Sequence, residues 1–370
     1  TNPAHAPSTG PRPPCRARDH IALWLPPNPR VLPLPFTKED SDHLFQTILH
    51  AWSGPTRESY GSGLLAFHAF CDAKGILETQ RAPADPSLIS VFISAMAGLY
   101  ANSTIGNYVS GVRAWHILHG VSWSLHENEM DALLKAAKAL FPPSSKCAPR
   151  EPYTIDVIEL IRSHLDLDTP LHAAIFACLT TTFFATARTG EFTVPNLHAF
   201  DPLTHINPRH VSVQHDRQGL EVTNFRLPRT KSAPQGEDVY WAKQNGPTDP
   251  HGTLDHHRKI NNPPPDAHLF SYHVTNGLHR PLTKPKFLKT LEMALKQADA
   301  PALKGHGIRI SSTLEYLLRN IPFDVVKVKG RWASDAFLVY LRCHAQVLAP
   351  YMQATLALYN DFVRTTLPPV

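Results

Sequence analysis

The sequence predicts a mainly α-helical protein of two domains, with one small antiparallel sheet in the second. Three observations carry this. Apolar residues recur at three- and four-residue steps through most of 37–140 and again from 155 onward, the spacing of one helix face. Strand-like alternation is confined to 209–231. Between the helical regions, Phe141-Pro142-Pro143-Ser144-Ser145-Lys146-Cys147-Ala148-Pro149 has the prolines and small polar residues of a linker. The expected organisation is a proline-rich disordered arm over 1–36, a helical bundle over 37–141, a linker over 142–150 and a larger domain over 151–370.

Each element has its own justification. Pro3, Pro7, Pro11, Pro13, Pro14, Pro26, Pro27, Pro29, Pro33 and Pro35 deny the first segment the amide donors that helices and central strands use. In the bundle, Tyr60, Leu64, Phe67 and Phe70 predict a helix over 55–74, stopped by Gly75. Leu88, Val91, Phe92, Ala95 and Leu99 predict the next, over 86–100. Ser103 is the expected N-cap of a helix carrying Ile105, Tyr108, Val109, Val112 and Trp115 and ending at Gly120. Met130, Leu133, Leu134 and Ala137 give another over 127–140. In the second domain Thr154 caps a helix through Ile155, Ile158 and Ile161, and the apolar run Leu171–Phe184 reads as a buried helix. His210 to Gln214, the turn Asp216-Arg217-Gln218-Gly219 and Leu220 to Phe225 form a predicted hairpin. Residues 245–268 read as an irregular insertion. Helices resume at 284–298, 309–319, 322–329, 335–344 (capped by Ser334) and roughly 345–364.

Composition sets outer limits. The 370 residues suffice for two cores, and 42% apolar content excludes global disorder. A net charge of +5 permits a polyanionic partner without requiring one. Five cysteines with no Cys-x-x-Cys spacing argue against a disulfide framework or a zinc knuckle and for a reducing compartment. No apolar run reaches the ~18 residues of a membrane span, and neither a signal-peptide pattern nor an internal repeat is present.

Chemistry concentrates in four separated stretches: Ala187-Arg188-Thr189-Gly190-Glu191, Pro228-Arg229-Thr230-Lys231, His306-Gly307-Ile308-Arg309, and Gly330-Arg331-Trp332 running on to Tyr340. Cutting a phosphodiester without metal requires a nucleophile, positive charge on the non-bridging oxygens and a proton donor for the leaving oxygen. Tyr340 is the candidate nucleophile, although a phenol ionising near ~10 needs a positive pocket to lose its proton at neutral pH. Arg188 and Arg309 offer planar, permanently charged forks for phosphate. Glu191 lies three residues beyond Arg188, placed to orient it. His306 can exchange a proton with the phenol or the leaving group. Trp332 can donate its indole N–H, with Arg331 an adjacent basic contact.

In order and spacing these stretches resemble the tyrosine recombinases, the family of phage integrases and Cre, and most of all the Crypton-type recombinases of eukaryotic mobile elements. The resemblance spans roughly 40–365 and is strongest over 305–352. It implies a core-binding, SAM-like bundle followed by the α-rich catalytic domain, closing on duplex DNA as a C-shaped clamp. It implies Arg188, Lys231, His306, Arg309, Trp332 and Tyr340 as catalytic residues, with Lys231 as the acid for the 5′ oxygen and Glu191 and Arg331 in support. It further implies a 3′-phosphotyrosine intermediate formed without metal, cofactor or ATP, a Holliday junction, and a homotetramer on two DNA sites. No membrane or small-molecule substrate enters this scheme. A nuclear location follows from the substrate and the eukaryotic look of the match. The segment with Leu348, Tyr351, Met352, Leu356 and Leu358 is expected to dock on a neighbouring protomer.

Several points stay open on sequence alone. Trp332 lies eight residues before Tyr340 where nine is expected, a spacing that Arg331 satisfies. Arg229 competes with Lys231. Ser311-Ser312 stand where similar sequences often carry Gly-Gly, and the 240–275 insertion has no assigned counterpart. A type IB topoisomerase-like relaxing enzyme and a domesticated DNA-binding protein without turnover are the alternatives. His251, His256 and His257 lack the partners of a metal site. On the bundle, Arg57, Lys74, Asn107, Arg113 and His116 are the candidate DNA contacts.

Overall fold

The computed structural model describes residues 17–141, 152–274, 277–301, 303 and 305–332, with the His306 side chain left out of the description. The expected linker, Ser334, Tyr340 and the helices at 335–344 and 345–364 therefore lie outside the described residues. The chain divides into two compact units, Thr1–Ala148 and Pro149–Val370. The architecture is mainly α, with twelve helices and small antiparallel sheets among the described residues. None of those helices is long and apolar enough to cross a membrane.

The first unit contains α1 (His20–Leu23), α2 (Lys38–Leu49), α3 (Gly54–Ala73), α4 (Pro86–Met96), α5 (Asn102–His119) and α6 (Glu127–Ala139). Thr37 begins α2 with a reciprocal capping box to Asp40. Gly120 ends α5 in the left-handed region at φ 69°, where a side chain would be strained. The core is built from Leu64, Phe67, Phe92, Ile105, Val112 and Trp115. Helices α3 and α5 approach closely because each presents glycine to the other. A Cβ at Gly63 would lie 2.5 Å from Tyr108 Cα, and one at Gly111 would strike the Tyr60 backbone.

Three expectations are corrected here. Residues 17–36 are not a free arm. Ile21 is fully buried, and the Trp24 ring stacks on His68 at 3.7 Å. The Trp24 carbonyl accepts from Trp115 Nε1 at 2.6 Å, and Arg30 N donates to His119 O at 2.7 Å. The prolines set an extended path, and a short apolar helix inside it finds the bundle. Helix α5 starts at Asn102 with Ala101 at its N-cap, two residues before the expected Ser103. Helix α4 turns Ile89, Phe92, Ile93 and Met96 inward, leaving Val91 and Leu99 exposed.

The second unit contains α7 (Ile155–Ser163), α8 (Pro170–Phe184), β1 (Val211–His215), β2 (Glu221–Leu227), β3 (Glu237–Trp241), α9 (Pro250–Asn261), β4 (Tyr272–His273), β5 (His279–Arg280), α10 (Lys284–Gln297), α11 (His306–Leu318) and α12 (Phe323–Lys329). Thr154 caps α7, accepting from Val157 N. Helix α8 is buried from Ala173 to Phe184 and forms the axis around which Phe192, Phe225, Phe270, Phe287 and Ile308 pack. The sheet is antiparallel in the order β1-β2-β3, with Phe225 opposite Val211 on one side and Val239 on the other. The predicted hairpin is thus extended by a third strand. The region read as irregular, 245–268, holds α9. Asp249 caps α9 through His251 N and Gly252 N, Pro250 opens it, and Asn262 closes it at φ 40°.

Two outcomes are expected. Gly63→Ala should lower stability by about 1–3 kcal/mol through overpacking of α3 on α5, read as a shifted denaturant midpoint, and an unshifted midpoint would contradict the close approach. Buried His257 and His268 are held neutral, burial pushing them to about 4 and about 3. Both values lie below the unfolded ~6.5, so the unfolded chain binds more protons beneath that pH and stability declines with acidification from there toward the folded values. Unfolding midpoints measured from neutral toward acid pH should fall, and His257→Gln should flatten the fall.

Candidate active site

The site begins where α8 ends. Ala187 N donates to Thr182 O and Thr186 N to Phe183 O, each at 3.0 Å, while Thr186 itself takes the left-handed conformation at φ 51°. This closure turns the chain sharply out of the apolar helix and delivers Arg188 to the surface. The Thr186 hydroxyl meets Ser312 Oγ at 2.8 Å on α11.

Arg188 and Glu191 form a reciprocal turn. Glu191 N donates to Arg188 O at 2.8 Å, and the Glu191 carboxylate accepts from Arg188 N at 2.8 Å and from Arg188 Nη1 at 2.9 Å. Nη1 also reaches Ser232 Oγ at 3.3 Å in the β2–β3 loop. The Arg188 side chain is 34% exposed and Glu191 only 6%. Burial pushes the Glu191 carboxyl up, but Arg331 beside it, with Arg188, outweighs that and holds it below the usual carboxylate value. Thr189 Oγ1 donates to Gly305 O at 3.1 Å, which ties this turn to the start of α11.

Helix α11 supplies the next residues. It begins at His306, whose backbone alone is described, and carries Arg309 in its first turn. Arg309 is 4% exposed. Its Nη2 donates to Gly330 O, and its guanidinium lies 4.5 Å from the centre of the Trp332 ring. Ser311 and Ser312 are buried and occupied: Ser311 Oγ donates to Gly307 O at 2.7 Å, and Ser312 faces Thr186. Ser311 Oγ also accepts from Tyr153 N at 2.5 Å, so both hydroxyls tie α11 to its surroundings.

Helix α12 ends as α8 does. Trp332 N donates to Lys327 O and Arg331 N to Val328 O, with Arg331 left-handed at φ 57°. That places the Arg331 side chain between two carboxylates, Nη2 to Glu191 Oε2 and Nη1 to Glu237 Oε1, both at 2.6 Å. Glu237 Oε1 also accepts from Thr230 Oγ1, and from Ser232 Oγ at 3.3 Å. Lys231, between those two residues, is exposed in the β2–β3 loop. Lys329 fastens α12 to β3, donating to Tyr240 O at 2.9 Å over the Tyr316 ring, and burial lowers its ammonium to about 8.

Contacts therefore bring Arg188, Glu191, the loop of Lys231, the start of α11 with Arg309, and Arg331 with Trp332 into one cluster. Tyr340 lies outside the described residues, and the His306 side chain is likewise undescribed. Glu237, Ser232 and Thr186 were missed by sequence reasoning, because no local spacing links them to the arginines.

No protein-family model matches the chain, and no curated protein matches it. Solved structures do. The XerH site-specific recombinase bound to palindromic difH substrate, a post-cleavage complex, superposes with a TM-score of 0.54 at 14% identity, over 84% of this chain and 83% of that one. Its pre-cleavage complex on difH gives 0.49 at 15% identity, over 85% of each chain. A lambda integrase dimer (75–356) bound to a COC′ core site gives 0.46 at 13% identity, over 82% of this chain and 95% of that one. The first superposition decides the architecture. The chain has the tyrosine recombinase fold.

The recombinase-fold bundle treats its candidate DNA contacts unequally. Asn107 and Arg113 are exposed on α5 and line a groove of about 890 Å³, whose α6 side carries Glu127 and Asp131. Lys74 is exposed at the end of α3, and Arg57 is half-buried in its first turn. His116 is corrected: it is fully buried, its Nε2 accepts from Ala84 N at 3.0 Å and its Nδ1 donates to Val112 O at 2.8 Å. Burial pushes its pKa down, so it is a neutral core group. His256 and His257 donate to the Leu167 and Leu269 carbonyls, and His251 faces Asp255 at 3.3 Å.

Glu191→Ala should cost about 1–3 kcal/mol of unfolding free energy, because it removes one of the two carboxylates that hold the Arg331 guanidinium while Glu237 remains, and Glu191→Gln should cost less. Denaturant unfolding checks this, and a loss below about 1 kcal/mol would reduce the cluster to a solvated pair.

Proposed function

We propose that this protein is a DNA strand transferase that cuts and rejoins duplex DNA through a 3′-phosphotyrosine, serving site-specific recombination of a mobile element of the Crypton type. The observation that carries the reading is the convergence of Arg188, the Lys231 loop, the start of α11 with Arg309, and Trp332 on one cluster of the second unit. The recombinase fold supports it, as does the similar XerH structure, a post-cleavage complex on palindromic difH substrate.

The step begins with the Tyr340 phenol giving its proton to His306 and its oxygen forming a bond to phosphorus. The phosphorus–O5′ bond breaks, and the electron pair left on O5′ takes a proton from the Lys231 ammonium. Arg188, a third exposed, meets the non-bridging oxygens. Arg309, held by Gly330 and Trp332, adds fixed positive charge as the phosphorane crowds with negative charge. The covalent bond keeps the energy of the cut linkage, so rejoining needs no ATP. Recombination by this route calls for a homotetramer on two DNA sites, and a eukaryotic element would place it in the nucleus.

A pool of randomised duplexes nicked near the scissile position, enriched for linkage that survives denaturation, tests the reading. Wild-type protein should become attached to DNA, and Tyr340→Phe should bind without attachment. Arg188→Ala should slow attachment by roughly 10²–10³-fold. Binding without attachment by the wild type would sink strand transfer in favour of a binding protein. Supercoil relaxation without exchange between two sites would favour the topoisomerase reading.

A further inference from the structure

Resting on the strand-transfer reading above, we propose that Arg331 is a positioning residue: through Glu237 it holds the loop bearing Lys231 against the Arg188 turn, and so aims the proton donor at the leaving 5′ oxygen. The loop between β2 and β3 is exposed at Lys231 and closed on itself by Thr230 N and Gly236 N, which both donate to Ala233 O. Thr230 and Ser232, on either side of Lys231, both donate to Glu237. Glu237 is itself held by Arg331 at 2.6 Å, and the other arm of the same guanidinium holds Glu191 at 2.6 Å. Arg188 touches the loop through Ser232 at 3.3 Å. The fork of Arg331 is thus the charged link between the phosphate-facing turn and the acid-bearing loop.

Its backbone points to the same role. Arg331 adopts φ 57°, a conformation that favours glycine, at the end of α12. Glycine would suit the backbone and abolish the clamp. A lysine would keep the charge but not the two-pronged fork that spans both carboxylates.

The role has a chemical signature. An alcohol leaves phosphorus poorly unless protonated, whereas a thiol ionises near ~8.5 and leaves as the thiolate unaided. A substrate with sulfur in place of the bridging 5′ oxygen therefore bypasses the acid while still requiring the nucleophile and the phosphate clamp.

The test uses the full chain and one nicked duplex recovered from the enriched pool, synthesised with 5′ oxygen or 5′ sulfur at the scissile linkage. Single-turnover attachment rates are compared for wild type, Lys231→Ala, Arg331→Gly, Arg331→Lys, Glu237→Ala and Arg188→Ala. On the oxygen substrate, Lys231→Ala should lose about 10²–10⁴-fold, the worth of a general acid, and Arg331→Gly and Glu237→Ala should lose a large part of it. On the sulfur substrate all three should return to the order of the wild type, and Arg188→Ala should stay slow on both. Arg331→Lys should behave as Arg331→Gly. Should Arg331→Gly fail to fold, Glu237→Ala, which leaves the Arg331–Glu191 pair intact, carries the same comparison. Equal losses on both substrates for the Arg331 and Glu237 variants, with Lys231→Ala rescued, would overturn the positioning role and leave strand transfer standing. Normal rates for those variants on oxygen would overturn it too. A wild type that attaches to neither substrate would instead overturn the functional reading beneath it.

Discussion

One guanidinium holds the site of the second unit together. Arg331 pairs with Glu191 on one side and Glu237 on the other, and those carboxylates belong to segments brought together only by the fold. The hydrophobic core built on α8 brings these segments close, but apolar burial is non-directional and cannot set the angle of a turn or loop. Charge-assisted hydrogen bonds can, because they weaken steeply away from their geometry. Such a triad is not a large net source of stability, since desolvating three charges offsets most of their attraction. Its value lies in orientation, with each partner fixed in turn: Glu191 by the Arg188 turn, Glu237 by Thr230 and Ser232.

The same economy governs the two helix ends that aim the arginines. Helices α8 and α12 both close with paired amide-to-carbonyl bonds around a left-handed residue, Thr186 in one and Arg331 in the other. A non-glycine residue there costs roughly 1–2 kcal/mol. At Thr186 the conformation delivers a hydroxyl to Ser312, and at Arg331 it delivers a fork to two carboxylates. Asn262, Asp299 and Asn320 close α9, α10 and α11 in the same left-handed conformation, so the backbone alone does not mark the site, and it is the side chains that differ. Those of Thr186 and Arg331 reach into the cluster of arginines.

Helices with an ordinary apolar stripe were legible in the sequence: α3, α5, α7 and α10 lie where the three- and four-residue spacing puts them. The Arg188–Glu191 pairing was legible too, though it forms across a tight 3-10 turn with Arg188 at its N-cap. Helix α9 was not legible, because its buried face is Pro250, Leu254, His257 and Asn261, so polar residues carry the helical period. His257 donates to Leu269 O and pairs with Asn261, which a hydropathy pattern cannot anticipate. His116 misled for the mirror reason. Beside Arg113 it reads as part of a polar face, yet one helical step turns it to the core, where the distant Ala84 amide satisfies it. Glu237 was invisible because its partners lie 5, 7 and 94 residues away, across a loop and at a helix end.

The charge balance of the cluster bears on the question left open by the spacing of Arg331 and Trp332. Four cations, Arg188, Lys231, Arg309 and Arg331, face two carboxylates, Glu191 and Glu237, a surplus of two. Were Arg331 to leave its partners for a bound phosphate, it would bring that anion beside two carboxylates, one of them almost buried. The Coulomb cost in a site of low effective dielectric makes that exchange unfavourable. Arg331 therefore neutralises protein charge, whereas the Arg188 and Lys231 side chains reach solvent. Trp332 makes a different contact, its ring lying against the Arg309 guanidinium rather than beside a carboxylate.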